Sequence, residues 1–230
     1  MTTDLRGTGR LIGVLILLQM VGGGVTNFVL LAFPAPGFLP NAATHPLQAG
    51  SAVLLGLATG AVSAGIAIAA STVFHHFSRS VALCFVVLAT VSFALTAVEA
   101  AGNLSLLFAS QAYTAADAAD RHLFETLRPV IAAFRNGTHY VTVLVGGGMI
   151  FALYAALFRF ALVPRALAAF GLFAAAMQMM AVSMPILGGE INFTLLLPLA
   201  LSQLALALWL IAKGFVERSA SAPHGAEARV

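Results

Sequence analysis

Residues 81–107 read VALCFVVLATVSFALTAVEAAGNLSLL, and within this stretch Glu99 alone carries a formal charge. As a helix it would extend roughly 40 Å, enough to cross a hydrocarbon core about 30 Å thick. Polar and apolar residues do not alternate with a period of two, so the stretch is a helix and not a barrel strand. Five more apolar stretches, 11–33, 51–74, 139–158, 166–186 and 193–212, contain no Asp, Glu, Lys or Arg. Placing one charge at the centre of a span costs about 2.5–3.5 kcal/mol, which explains why the remaining charges lie between the stretches. The chain therefore reads as an all-α membrane protein of six transmembrane helices. They form a single domain over 1–214, followed by a disordered cytoplasmic tail over 215–230.

Composition agrees with this pattern. Of the 230 residues 60% are hydrophobic and 8% charged, against about 25% charged in a soluble domain. The net charge is +3, but the Lys and Arg residues are dispersed and make no patch for nucleic acid. Cys84 is the only cysteine, so no intramolecular disulfide is available. The chain has no phosphate-binding glycine loop, no Gly-x-Ser-x-Gly elbow and no His-Glu-x-x-His, and it reads as a protein without soluble-type catalysis.

The basic residues set an orientation. Arg6, Arg10, Arg79, Arg159, Arg165, Lys213, Arg218 and Arg229 fall on one side of the spans, and Arg121, Arg128 and Arg135 on the other. The positive-inside rule then puts both termini in the cytoplasm. At 23 residues the first span exceeds the roughly 7–15 of a signal-peptide core and reads as a retained anchor. Between spans three and four, Leu123, Phe124, Leu127, Val130, Ile131 and Phe134 recur with helical spacing. This predicts an outward amphipathic helix over about 115–136, lying on the membrane or capping the bundle, with a kink at Pro129.

Three segments carry a family likeness: GRLIGVLILLQMVGG (9–23), FHHFSRSVALCFVVLATVSFALTAVEAAGNLSLL (74–107) and THYVTVLVGGGMIFALYAALFRFALVPRALAAFGLF (138–173). With them the chain resembles the bacterial membrane proteins grouped as the domain of unknown function 4386 family, over nearly its whole length. The family's Glu-Ala-Ala and Asn in a third helix match Glu99, Ala100, Ala101 and Asn103. Its His near the start of a fourth helix matches His139. Its Phe-Arg-x-x-x-x-Pro-Arg connection matches Phe158, Arg159, Pro164 and Arg165. Family members often carry an Arg shortly before the Glu, where this chain has apolar residues around Ala94 and Leu95. The resemblance implies a multi-pass helical membrane protein and assigns no activity.

Glu99 is the leading candidate for function, because an ionisable group inside a span usually faces the bundle interior or a watery cavity. Counted from the start of its stretch it lies roughly 27 Å up the helix, near the outer edge of the core. Asn103 is one turn further on the same face. His139 opens the next span on that side, and Asn27 reaches a similar height in the first. Together the four predict an outward-facing polar pocket for a small ligand. A scaffold protein, in which Glu99 only fixes packing against a protein partner, is the competing reading, and an intramembrane redox protein or enzyme is a third. Whether a protein partner or a homo-oligomer forms is left open.

Other polar and small residues read as structural. His75 and His76 lie a full span away from His139, and His45 and His122 lack paired ligand spacing, so neither metal nor cofactor is expected. Met177, Met180 and Met184 share a face and read as core filling. Ala52, Gly56, Gly60 and Ala64 form a small-residue ridge for an internal helix contact. The triplets Gly22, Gly23, Gly24 and Gly146, Gly147, Gly148 are likewise read as close helix packing. They occupy equivalent places in two sets of three spans, which would suit an inverted repeat, but the rest of the sequence shows no such symmetry. Pro198 is a candidate kink in the sixth span.

Overall fold

The computed structural model describes residues 4–30 and 42–216. Six long helices occupy most of them: α1 (Leu5–Leu30), α2 (Pro46–Phe74), α3 (Arg79–Ala115), α4 (Ala118–Arg159), α5 (Arg165–Ile186) and α6 (Leu197–Lys213). A 3-10 turn, Phe193–Leu196, leads into α6. All six, α6 counted together with the turn that leads into it (Phe193–Lys213), are long and apolar enough to cross a membrane, and the protein is a multi-pass membrane protein.

Local chemistry fixes several boundaries. Ser78 caps α3 by accepting from the Val81 N–H, and Asn192 starts the 3-10 turn by accepting from the Thr194 N–H. Pro198 lies in the first turn of α6, not at a kink; its missing N–H has no helical partner to lose there. The segment over 115–136 is helical, as its stripe predicts, but it is not a separate element. It forms the first half of α4, which runs 42 residues without a break and contains Pro129. Leu123, Leu127, Val130 and Phe134 stand exposed along it, while Ile131 packs inward.

Successive helices pack side by side, and α1 packs against α6, which closes a ring. Arg6, Arg10, Arg79, Arg159, Arg165 and Lys213 gather at one end of this ring, hereafter the basic end. The larger core cluster fills that end with Ile12, Ile16, Phe74, Phe85, Leu157 and Leu210. A smaller cluster, including Ala49, Ala52, Leu106 and Leu107, sits toward the opposite end. The outward faces carry exposed Val21, Leu54, Ile68, Val87, Phe173 and Leu201, as a lipid-facing surface requires.

Lipid tails are as apolar as Leu, so helices in a membrane associate through close packing. At the ring closure, a Cβ on Gly13 would lie 2.8 Å from the Ala207 carbonyl oxygen, and one on Gly9 only 2.6 Å from the Phe215 nitrogen. Gly214 closes α6 at φ +71°, where a Cβ would also press on the Arg6 backbone. The ridge on α2 is used inside the bundle: Gly60 faces Phe93 and Thr96, and Gly56 faces Thr26. Gly22 lies against Thr59 and Gly147 against Met179, whereas a Cβ on Gly23, Gly24 or Gly148 would meet nothing within 4 Å. The packing reading of the triplets therefore fails at those three positions, which border open space. Met180 departs from core filling too, since it is 54% exposed.

The tightest small-residue contact is Gly171, whose added Cβ would fall inside the ring of the buried Tyr154. Gly171→Ala is expected to cost about 1–3 kcal/mol through overpacking, read as thermal unfolding in detergent. Adding Tyr154→Leu should recover most of that loss; an unchanged transition for the single variant would show that the ring yields freely.

Beyond α6 the chain stays packed for two more residues. Phe215 is 1% exposed, and the Val216 N–H donates to the Leu162 carbonyl at 2.9 Å. The domain thus reaches two residues into the stretch expected to be a disordered tail, and 217–230 lie outside the described residues.

Candidate functional site

Near the end opposite the basic one, two helices face each other with polar pairs spaced one turn apart. From α3 come Glu99 and Asn103; from α4 come Arg135 and His139. Four-residue spacing stacks each pair on one helix face. Because α3 and α4 run antiparallel, Glu99 meets His139 while Asn103 meets Arg135. Gly102 faces Arg135 here, and a Cβ on it would make an ordinary contact with the Arg135 Cβ at 3.4 Å.

Arg135 holds the cluster together. Its Nε donates to Asn103 Oδ1 at 3.0 Å, its Nη1 to Asn136 Oδ1 at 3.2 Å and its Nη2 to Glu99 Oε1 at 3.3 Å. His139 Nδ1 lies 2.8 Å from the same Glu99 oxygen. With Glu99 a carboxylate in the pair with Arg135, this contact requires the proton on Nδ1. The side chains of Arg135 and Glu99 are 11% and 12% exposed, and Asn103 is 3% exposed. Glu99 Oε2 accepts no bond from the described residues, nor does His139 Nε2 make one.

Part of this cluster borders a cavity of about 260 Å³ lined by α1, α2, α3 and α4. Glu99, Asn103 and His139 line it from one side and Asn27 from α1 lines it from another, so all four residues singled out in the sequence meet at one space. Asn27 is the most exposed of them. Hydroxyl side chains line much of the remaining wall, including Thr59, Ser63 and Thr96. Toward the basic end Gln19 borders both this cavity and a second space of about 10 Å³ beside Tyr154 and Gln203, roughly the room one water needs. Beyond that, the apolar core of the basic end closes the bundle.

Sequence reading missed Arg135. It counted this residue among loop charges, because a helix assigned to end at 136 and a span assigned to start at 139 split one helix face in two. The spacing of Arg135 and His139, four residues apart, was the available signal. The cationic partner of Glu99 is thus supplied by the neighbouring helix. The packing glycines at 9 and 13 were also missed, though their four-residue spacing is that of a small-residue contact.

The family model described as Domain of unknown function (DUF4386) matches residues 11–214, and the chain belongs to that family. No curated protein and no solved structure matches the chain.

Proposed function

We propose that this family member binds a small polar ligand in the cavity beside Glu99 and carries it across the membrane. The observation supporting this reading is that Glu99, the acid of an ion pair inside a lipid-exposed bundle, borders an open space together with Asn103 and His139 instead of packed side chains. Burying charges in low dielectric is costly, and well-packed apolar residues would serve stability as well or better. Ionisable groups at such positions commonly mark ligand or ion pathways. The lopsided distribution of Lys and Arg supports a bacterial inner-membrane setting with both chain ends in the cytoplasm. In that orientation the cavity belongs to the outer half of the bundle, and the core at the basic end is the inner seal. Moving a ligand through would then require the packing around Tyr154 and Gln19 to loosen.

Gly23 offers a direct test, because it lines the cavity and a Cβ added there would have no atom within 4 Å. Gly23→Leu is expected to fold with a stability within about 1 kcal/mol of the parent, given the better helix preference of Leu. It should nevertheless abolish any ligand-induced rise in melting temperature found by screening the purified protein against metabolites, lipids and ions. Ligand stabilisation that persists with the cavity filled would refute the site.

A further inference from the structure

Most hydroxyl groups along the cavity are already engaged as donors. Thr26 donates to the Gly22 carbonyl at 2.8 Å, Thr59 to Leu55 at 2.8 Å, Ser63 to Thr59 at 3.3 Å, Thr96 to Ser92 at 3.0 Å and Thr142 to Thr138 at 2.8 Å. A hydroxyl has one proton and two lone pairs, so what these five present to the cavity is accepting oxygen. Glu99 adds the lone pairs of Oε2. In neutral His139 the Nδ1 proton faces Glu99, which leaves Nε2 an acceptor as well.

Donors are fewer at this wall. The amide nitrogens of Gln19, Asn27 and Asn103 and the Ser92 hydroxyl supply them. Arg135 does not line the cavity, and all three of its nitrogens hold other groups. Among the described residues Glu99 is therefore the one acidic side chain at the wall, and no Lys or Arg stands there. Among the described residues no Phe, Tyr or Trp lines the space, so they supply no aromatic cage of the kind that recognises quaternary ammonium groups.

We infer that the cavity takes a small cation rich in N–H donors, a primary ammonium or amidinium compound, seated with its charge against Glu99 and its N–H groups on the threonine and serine oxygens. This inference rests on the ligand-binding reading above and adds the chemical class. An anion would face lone pairs from five hydroxyls and a carboxylate. A cation without N–H groups would leave those acceptors unpaired, which is costly in a desolvated site. At about 260 Å³ the space lies just under the roughly 300–1,000 Å³ of pockets for drug-sized ligands, which suits a small metabolite.

The test is calorimetric titration of the purified full-length protein with n-butylammonium chloride, tetramethylammonium chloride and tetramethylammonium butyrate at fixed ionic strength. Saturable n-butylammonium binding is expected, with the two tetramethylammonium salts at least about ten-fold weaker. Glu99→Gln should weaken it by about ten- to a hundred-fold, the range for a hydrogen bond to a charged group. Thr96→Val, which keeps shape and leaves the Glu99–Arg135 pair intact, should weaken it several-fold and guards against misfolding of the first variant. With either signal lost in Gly23→Leu, tighter binding of butyrate would overturn the cationic charge and equal binding of tetramethylammonium the need for N–H donors, and both would keep the pocket. If neither these salts nor any screened compound gives a signal that Gly23→Leu removes, both readings fall.

Discussion

Replacing Arg135 with Leu is expected to destabilise the folded protein by about 3–5 kcal/mol, the penalty of stranding one member of a buried ion pair. Three groups lose a donor at once: Glu99, 12% exposed, the Oδ1 of Asn103, 3% exposed, and the Oδ1 of Asn136. Removing charge from both sides should do less harm. The Glu99→Gln/Arg135→Gln double variant is expected to recover much of the loss, because no unpaired ion remains. Equilibrium unfolding in mixed micelles for the parent, the two single Gln variants and the double gives the coupling free energy, expected at about 1–3 kcal/mol for groups in one network. Additivity within error, or a parent-like Arg135→Leu protein, would mean that the pair is not what joins α3 to α4.

Phe215→Ala should be comparably severe, at about 3–5 kcal/mol for emptying the site of a buried aromatic ring. Phe215 is 1% exposed and belongs to the core cluster at the basic end, just past the last helix. Its effect should appear as a lowered melting temperature in detergent, with ligand affinity at the distant cavity unchanged in the fraction still folded. Cutting the chain after Gly214 should destabilise at least as much, since it also removes the Val216 bond to Leu162. A Phe215→Ala protein that melts with the parent would show that the segment rests on the bundle without supporting it.

What the sequence disclosed followed from the strongest physical penalty present. Charge is so costly in hydrocarbon that the spans stand out as uncharged stretches, and Glu99 stands out as the exception. Rise per residue then put Glu99, Asn103, His139 and Asn27 at similar heights, and these four do border one cavity. Arg135 was harder to read because lipid does not mark where a polar helix becomes an apolar one. The change of character along α4 was read as the border between a surface helix and a separate span, although the backbone continues through it as one helix. Phe215 lay in a segment whose composition resembles a tail, and one aromatic side chain is too weak a signal against such neighbours. Glycine identity alone could not separate Gly22, which touches Thr59, from Gly23, which borders empty space. That distinction depends on which face of α1 turns toward α2, and α1 has small residues on both.

Closure of the ring through α1 and α6 also constrains biogenesis. More than 160 residues separate the end of the first helix from the start of the sixth. At about 5–20 residues per second, the ribosome needs roughly 10–30 s to synthesise that interval. Throughout it the seam formed by Gly9, Gly13 and the opening turns of α1 lacks its permanent neighbour. Lipid or the insertion machinery must occupy the vacant flank until translation of the last span ends. A nascent chain stalled before Leu197 would expose that flank, which gives quality-control proteases a mark for an unfinished molecule.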